Sequence, residues 1–141
     1  MRQFLKVPQR IHNAVILMTD LAEHGRDGIL VSLNEVAERN GLSRGFLEKI
    51  AVLLKEAGLI EARRGASGGY VLSRSAKHIT ISDIVTAVEG PMAFIDCLGG
   101  GSCNMSSKCS TRQVWANVQK RVEESMTEMT LADVLGRSSD L

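Results

Sequence analysis

Residues 32–73 read SLNEVAERNGLSRGFLEKIAVLLKEAGLIEARRGASGGYVLS, and this stretch decides the fold. Ser32-Leu33-Asn34-Glu35 is a capping box: the serine caps a helix and the glutamate reaches back to it. Leu33, Val36 and Ala37 give that helix an inward face. Asn40-Gly41 stops it, because this pair tolerates the left-handed backbone that ends helices. Ser43 caps the next helix, predicted over about 43–57, with Phe46, Leu47, Ile50, Leu53, Leu54 and Ala57 buried and Gly58 as its stop. Two short strands follow at 59–63 and 70–73, joined by Arg64-Gly65-Ala66-Ser67-Gly68-Gly69. Two helices on a short turn, then a hairpin, make a winged helix-turn-helix.

Upstream, Ile11, Ala14, Val15, Met18, Leu21 and Ala22 recur at helical spacing and predict a helix over 10–24, ended by Gly25 and Gly28. Downstream, Ser82 is placed as the cap of a short helix whose Ile84, Val85 and Val88 face the core, broken by Gly90-Pro91. A longer helix is predicted from about residue 111 to 127. Val114, Trp115, Val118, Val122 and Met126 line one side of it; Arg112, Lys120, Glu123 and Glu124 line the other. Its expected use is pairing with the same helix of a second copy in a homodimer. A last short helix covers 131–135. The expected fold class is mainly α: a winged helix-turn-helix with a small β-hairpin wing and a long C-terminal dimerisation helix. Residues 1–78 form the DNA-binding domain, and 79–141 carry the cysteine loop and dimerisation region.

The chain has 141 residues, 44% hydrophobic and 23% charged, the scale of one globular domain. No run approaches the roughly 18 apolar residues of a membrane span. The basic N-terminus lacks the apolar stretch of a signal peptide, so a cytoplasmic location is expected. The net charge of +1 hides an asymmetry. Residues 1–74 hold eleven Lys/Arg against eight Asp/Glu, and the remainder six against eight. A basic front half permits nucleic-acid binding. No Ser/His/Asp or paired-carboxylate constellation is visible, so neither an enzyme nor a small-molecule substrate is expected.

The exposed face of the second helix-turn-helix element offers Ser43, Arg44, Glu48 and Lys49 to base edges in a major groove. Gly45 lets the backbone approach closely. Arg63 and Arg64 flank the glycine-rich tip, where a narrow minor groove favours arginine. Ser67 and Gly68 belong to the same tip, whose amides can bond phosphates.

All three cysteines fall in Cys97-x5-Cys103-x5-Cys109. An odd count points away from a disulfide framework. Thiols this close can converge on one centre and, as soft ligands, suit an iron–sulfur cluster, zinc or Cu(I). Neighbouring glycine amides can bond cluster sulfides and thiolates.

Over roughly residues 10–135 the sequence resembles the bacterial IscR/NsrR/RirA group of winged-helix regulators. The resemblance is carried by Gly41-Leu42-Ser43, Leu47-Glu48, LLKEAGL at 53–59, Arg64-Gly65-Ala66-Ser67-Gly68-Gly69-Tyr70 and the cysteine array. It implies a homodimeric repressor or activator, here read as a repressor, that binds a double-stranded operator. Its affinity would be governed by a 2Fe–2S or 4Fe–4S cluster sensing nitric oxide, redox state, iron or cluster supply. Relatives without a cluster lack the array. The resemblance places cluster ligands on Cys97, Cys103 and Cys109, and DNA contacts on Ser43, Arg44, Glu48 and the Arg64 neighbourhood. The IscR branch puts a histidine three residues after the third cysteine; here that residue is Arg112, which cannot ligate iron. The NsrR branch uses an acidic residue near the start of the first helix of the partner subunit. His12 falls at that position, and a neutral imidazole is a competent ligand. A cluster-free regulator using thiols or zinc is the alternative; a redox module and a zinc-stabilised interaction protein are readings from other classes.

Overall fold

The structure is a computed structural model that describes residues 2–65, 68–101 and 109–138. Two residues singled out above, Ser67 and Cys103, lie outside the described residues.

The first helix, α1 (Gln9–His24), is the hub of the fold. It packs against α2 (Leu33–Asn40), α3 (Arg44–Glu56), α4 (Ile81–Glu89) and α6 (Leu131–Ser138). Because neighbours cover it from several sides, its buried face is wider than the predicted stripe. Leu17 is fully buried although the periodicity reading passed over it, while Ile11 and Val15 are only half-buried. Leu17, Met18 and Leu21 meet Leu47, Ile50 and Leu54 of α3, and Ile79, Ile84 and Leu131 complete the same core.

Local signals set the element ends. Ser32 and Glu35 form the reciprocal capping box, each bond 3.2 Å. Gly41 closes α2 at φ 64°, ψ 35°, the left-handed conformation that glycine reaches without a Cβ penalty. Ser43 precedes α3 as its cap. The cap of α4 differs from the sequence reading: it is Thr80, not Ser82. Thr80 Oγ1 accepts from the Asp83 amide at 3.0 Å, and the Asp83 carboxylate accepts from the Thr80 amide at 2.9 Å. Thr80 has an acidic residue three positions on to complete a capping box, whereas Ser82 lies inside the first turn.

The wing pairs β1 (Ile60–Arg63) antiparallel with β2 (Gly69–Leu72), with Ile60 opposite Leu72 and Arg63 opposite Gly69. On its other side β2 is bridged by Val31, which exchanges both backbone hydrogen bonds with Tyr70 at 3.1 and 2.8 Å. A Cβ on Gly69 would lie 2.9 Å from the Val31 carbonyl oxygen, so this close pairing requires glycine. The long helix α5 (Ser110–Glu128) runs beyond the core, with none of its residues fully buried. The chain then returns through a bridge between Thr80 and Thr130, which seats α6 on α1.

One buried charge stands inside this apolar packing. Asp20 of α1 is 5% exposed, and its carboxylate accepts from Arg39 at 2.7 and 3.0 Å and from Asn40 at 2.9 Å. Burial pushes this carboxyl up, but the Arg39 and Asn40 hydrogen bonds and the Arg39 charge outweigh it and leave it below the ordinary carboxylate value. Removing one partner of a fully buried pair costs about 3–5 kcal/mol. Arg39 can still reach water, so Asp20→Ala is expected to cost nearer 2 kcal/mol. Because the folded value is depressed, the Asp20 contribution is whole above roughly pH 4 and is lost as pH falls through the folded value. Urea unfolding of wild type and Asp20→Ala at neutral and acid pH checks this: the gap between them should narrow in acid. A constant gap overturns the assignment.

Candidate nucleic-acid interface and cysteine segment

The first turn of α3 presents the residues read as DNA contacts. Ser43 Oγ accepts from the Phe46 amide at 3.4 Å, which satisfies one of the helix's orphan donors. Its hydroxyl proton stays available to donate outward. Arg44 pairs with Glu48 one turn on, at 3.2 Å, with both side chains more than half exposed. So exposed a pair holds its members weakly, leaving each free to turn toward a larger charge. Lys49 is exposed one turn beyond Gly45. Leu47, Ile50 and Leu54 fix the opposite face in the core, so the orientation of this exposed row is set by packing.

Gly45 is the unusual residue of this face. A Cβ there would meet only Ser43 Oγ, at 3.8 Å, so nothing inside the protein requires glycine. A helical glycine costs about 1 kcal/mol relative to alanine. The space a side chain would occupy there is open, which leaves the helix backbone accessible from outside the chain.

In the wing, Arg63 pairs with Glu61 at 3.3 Å, again across exposed side chains. Arg64 is exposed and has no ion pair among the described residues. Gly68 takes φ +63°, a conformation that favours glycine, and its amide donates to the Gly65 carbonyl at 3.3 Å.

The cysteine segment lies at the other end of the chain. Cys97 sits in a short turn, Asp96–Leu98, and is half-buried. The Asp96 carbonyl accepts from the amides of Gly99 and Gly101, both at 3.0 Å. Cys109 is the residue that precedes the first turn of α5. Both thiols are free of disulfide bonds. The approach to Cys97 is strapped to α5: the Phe94 amide donates to Gln119 Oε1 at 2.9 Å, and Gln119 Nε2 donates to Glu123 at 3.2 Å. His12 is exposed on α1. Two residues earlier, Arg10 pairs with Glu89 at 2.8 Å, tying the start of α1 to the end of α4. Among the described residues no three His, Cys, Asp or Glu side chains gather in a form that could hold a metal ion.

The surroundings of Cys109 nevertheless suit an anionic group. The first turn of α5 has no side-chain cap and no acidic residue. Its amides and the positive end of the helix dipole therefore suit a negatively charged group. Arg112 adds a buried Nε with no hydrogen-bond partner among the described residues. Cysteine sulfurs are the donor type that an iron–sulfur cluster takes, and the uncapped helix start suits its negative charge.

Sequence reasoning missed the Asp20–Arg39–Asn40 contact, the Arg10–Glu89 pair and the Gln119 strap. The first had a signal: an aspartate within the apolar stripe of a helix must find a partner. The other two join residues 79 and 25 positions apart, beyond any local pattern.

A bridged wing, a capped helix on a short turn and an apolar hub define a winged helix-turn-helix fold. The chain belongs to the Rrf2 family, described as iron-dependent transcriptional regulators, which matches residues 7–137. It is 32% identical over 128 residues to the HTH-type transcriptional regulator IscR of Yersinia pseudotuberculosis, covering 91% of this chain and 77% of the relative. The solved structure of T. potens IscR is similar with a TM-score of 0.78 and 39% identity, covering 95% of this chain and 88% of that one. CymR, the global cysteine regulator of B. subtilis, is similar with a TM-score of 0.78 and 30% identity, covering 95% and 98%. Among the described residues no helix is long and apolar enough to cross a membrane.

Two substitutions test the interface. Gly45→Ala should raise the unfolding free energy by about 0.5–1 kcal/mol while weakening operator binding. A more stable protein that binds equally well would remove the close-approach role. Arg64→Ala should weaken operator binding at fixed salt by roughly 1–3 kcal/mol if it reads a base edge, as titration of labelled duplex would register. Undiminished affinity would mean that the wing does not dock.

Proposed function

We propose that the chain is a cytoplasmic homodimeric repressor whose operator affinity is set by an iron–sulfur cluster, 2Fe–2S or 4Fe–4S. The observation that carries this reading is the position of Cys109 at the uncapped start of α5, three residues before Arg112, whose buried Nε has no hydrogen-bond partner among the described residues. Cys97, Cys103 and Cys109 would hold the cluster, with His12 of a second copy as fourth ligand in place of the histidine that Arg112 replaces. When bound, the cluster supplies a centre reactive toward nitric oxide, oxygen and reductants, whose assembly depends on iron and cluster supply.

The chain's own residues divide the remaining work. Residues 1–78 read DNA through Ser43, Arg44, Glu48 and Lys49 of α3 and through Arg63, Arg64, Ser67 and Gly68 of the wing. Residues 79–141 hold the cluster loop and the dimerisation helix. Cys97 is fastened to α5 through the Phe94–Gln119 strap, and Cys109 begins α5, so the order of the segment between them bears directly on the dimer helix. Two recognition helices must meet half-sites about one DNA turn apart, and a change in α5 pairing alters that separation.

The likeness to CymR favours one second reading, a cluster-free regulator that depends on thiols or zinc. Protein purified without oxygen separates the two. A cluster gives broad absorption between roughly 320 and 600 nm with matching iron and sulfide. Cys103→Ala should abolish it, and His12→Ala should change its spectrum, lifetime or potential. Equal operator affinity with and without the cluster overturns the switch. A colourless protein with stoichiometric zinc, or one whose metal-free form responds reversibly to peroxide, establishes the second reading. A cluster unchanged by His12→Ala removes His12 from the ligand set.

A further inference from the structure

The inner face of α5 runs through Arg112, Ala116, Gln119, Glu123 and Met126, all half-buried, while Val114, Trp115 and Val118 stand exposed on the outer face. Residues three and four apart share one side of a helix, so these five form a single stripe. Two polar side chains therefore occupy the middle of a half-buried face, where each needs a partner. Among the described residues, one side-chain hydrogen bond leaves α5 for another part of the chain: the Phe94 amide donates to Gln119 Oε1 at 2.9 Å. Gln119 Nε2 donates in turn to Glu123 Oε1 at 3.2 Å. A main-chain amide only donates and a carboxylate only accepts, so one orientation of the Gln119 amide satisfies both.

Near this bond the packing is incomplete. A cavity of about 260 Å³ is lined by Gly90, Pro91 and Met92, where the chain leaves α4, and by Glu123, Met126 and Thr127 of α5. Close apolar contact therefore does not set how the chain approaches α5 here; the hydrogen bond at Phe94 does. Beyond Phe94 the chain turns at once. The Ile95 carbonyl accepts from the Leu98 amide at 3.0 Å, and Cys97 lies inside that turn.

We propose that Gln119, held in orientation by Glu123, is the positioning residue that sets Cys97 against α5 for the cluster and passes the cluster's state to that helix. The inference rests on the cluster reading above and adds to it the two side chains that act, through the Phe94 backbone, on Cys97. Three residues separate Phe94 from Cys97. Ten separate Gln119 from Cys109, about 15 Å of helix. A cluster that takes both thiols closes a ring through the Phe94–Gln119 bond, so gain or loss of the cluster loads or releases Gln119.

Three variants of the full chain isolate this role. Gln119→Leu removes the acceptor at similar volume. Gln119→Glu keeps an acceptor for Phe94 but sets two carboxylates against each other. Gln119→Glu/Glu123→Gln exchanges the two roles and restores both hydrogen bonds. In reduced, metal-free protein, Phe94 amide exchange is followed together with iodoacetamide alkylation of Cys97, with Cys109 as internal reference. Both single variants should raise the Phe94 and Cys97 rates about fivefold, the factor that a hydrogen bond of ordinary net strength supplies, and the double variant should return them to wild type. Loaded with iron and sulfide, the single variants should bleach faster in air and bring the operator affinities with and without cluster closer together. Wild-type rates in Gln119→Leu overturn the proposal, as does an unchanged cluster lifetime and affinity ratio. A double variant no better than Gln119→Glu does the same. Equal acceleration at Cys97 and Cys109 with a lowered urea midpoint marks a merely structural bond and also overturns it. Wild-type protein that takes up no iron and sulfide defeats the cluster reading itself, whatever the metal-free rates.

Discussion

A single carboxylate inside α1 holds the reading head of this protein in place. Asp20 receives the last two residues of α2, Arg39 and Asn40, and thereby fixes where the turn into α3 begins. Hydrophobic contacts alone allow helices to slide and rotate over one another at modest cost; a buried carboxylate that must be satisfied does not. The recognition helix is thus located by two unlike constraints: apolar packing through Leu47, Ile50 and Leu54, and directional hydrogen bonds one turn upstream. Since α1 also carries α4 and α6, a displacement of either end of the molecule is felt at the same hub.

Parts of this arrangement were legible in the sequence because they are local. The Ser32–Glu35 capping box and the Gly41 stop each occupy a few consecutive residues, and each is found where the pattern put it. The exposed row on α3 was legible for the same reason, since its buried counterpart repeats at helical spacing. The Thr80 cap was misplaced to Ser82 because two hydroxyl residues compete within three positions, and only the reciprocal bond with Asp83 decides between them. Leu17 escaped because its burial depends on how many neighbours surround α1. The bridge from Val31 to Tyr70 joins residues on either side of the whole helix-turn-helix, and no spacing rule reaches that far.

The cysteine segment was legible in composition and not in geometry. Three cysteines among glycines carry an expectation of soft-metal chemistry, and Cys109 stands at the uncapped start of α5. A ligand contributed by another copy has no fixed distance along the sequence, so its identity cannot be read from spacing. What the fold adds is mechanical: Gln119 grips the backbone just before Cys97, and Cys109 opens the same helix, so both borders of the segment end on α5.

The bridged wing has a further effect on how the protein survives at high local concentration. A two-stranded hairpin ordinarily presents two open edges, each able to recruit a strand from another molecule. Here Val31 occupies the outer side of β2. The remaining edge, β1, is four residues long and places Glu61 and Arg63 in solvent. A short edge bearing charges of both signs is a poor template for an incoming hydrophobic strand. The wing can therefore project from the surface without inviting strand-to-strand polymerisation when many copies crowd onto neighbouring stretches of DNA.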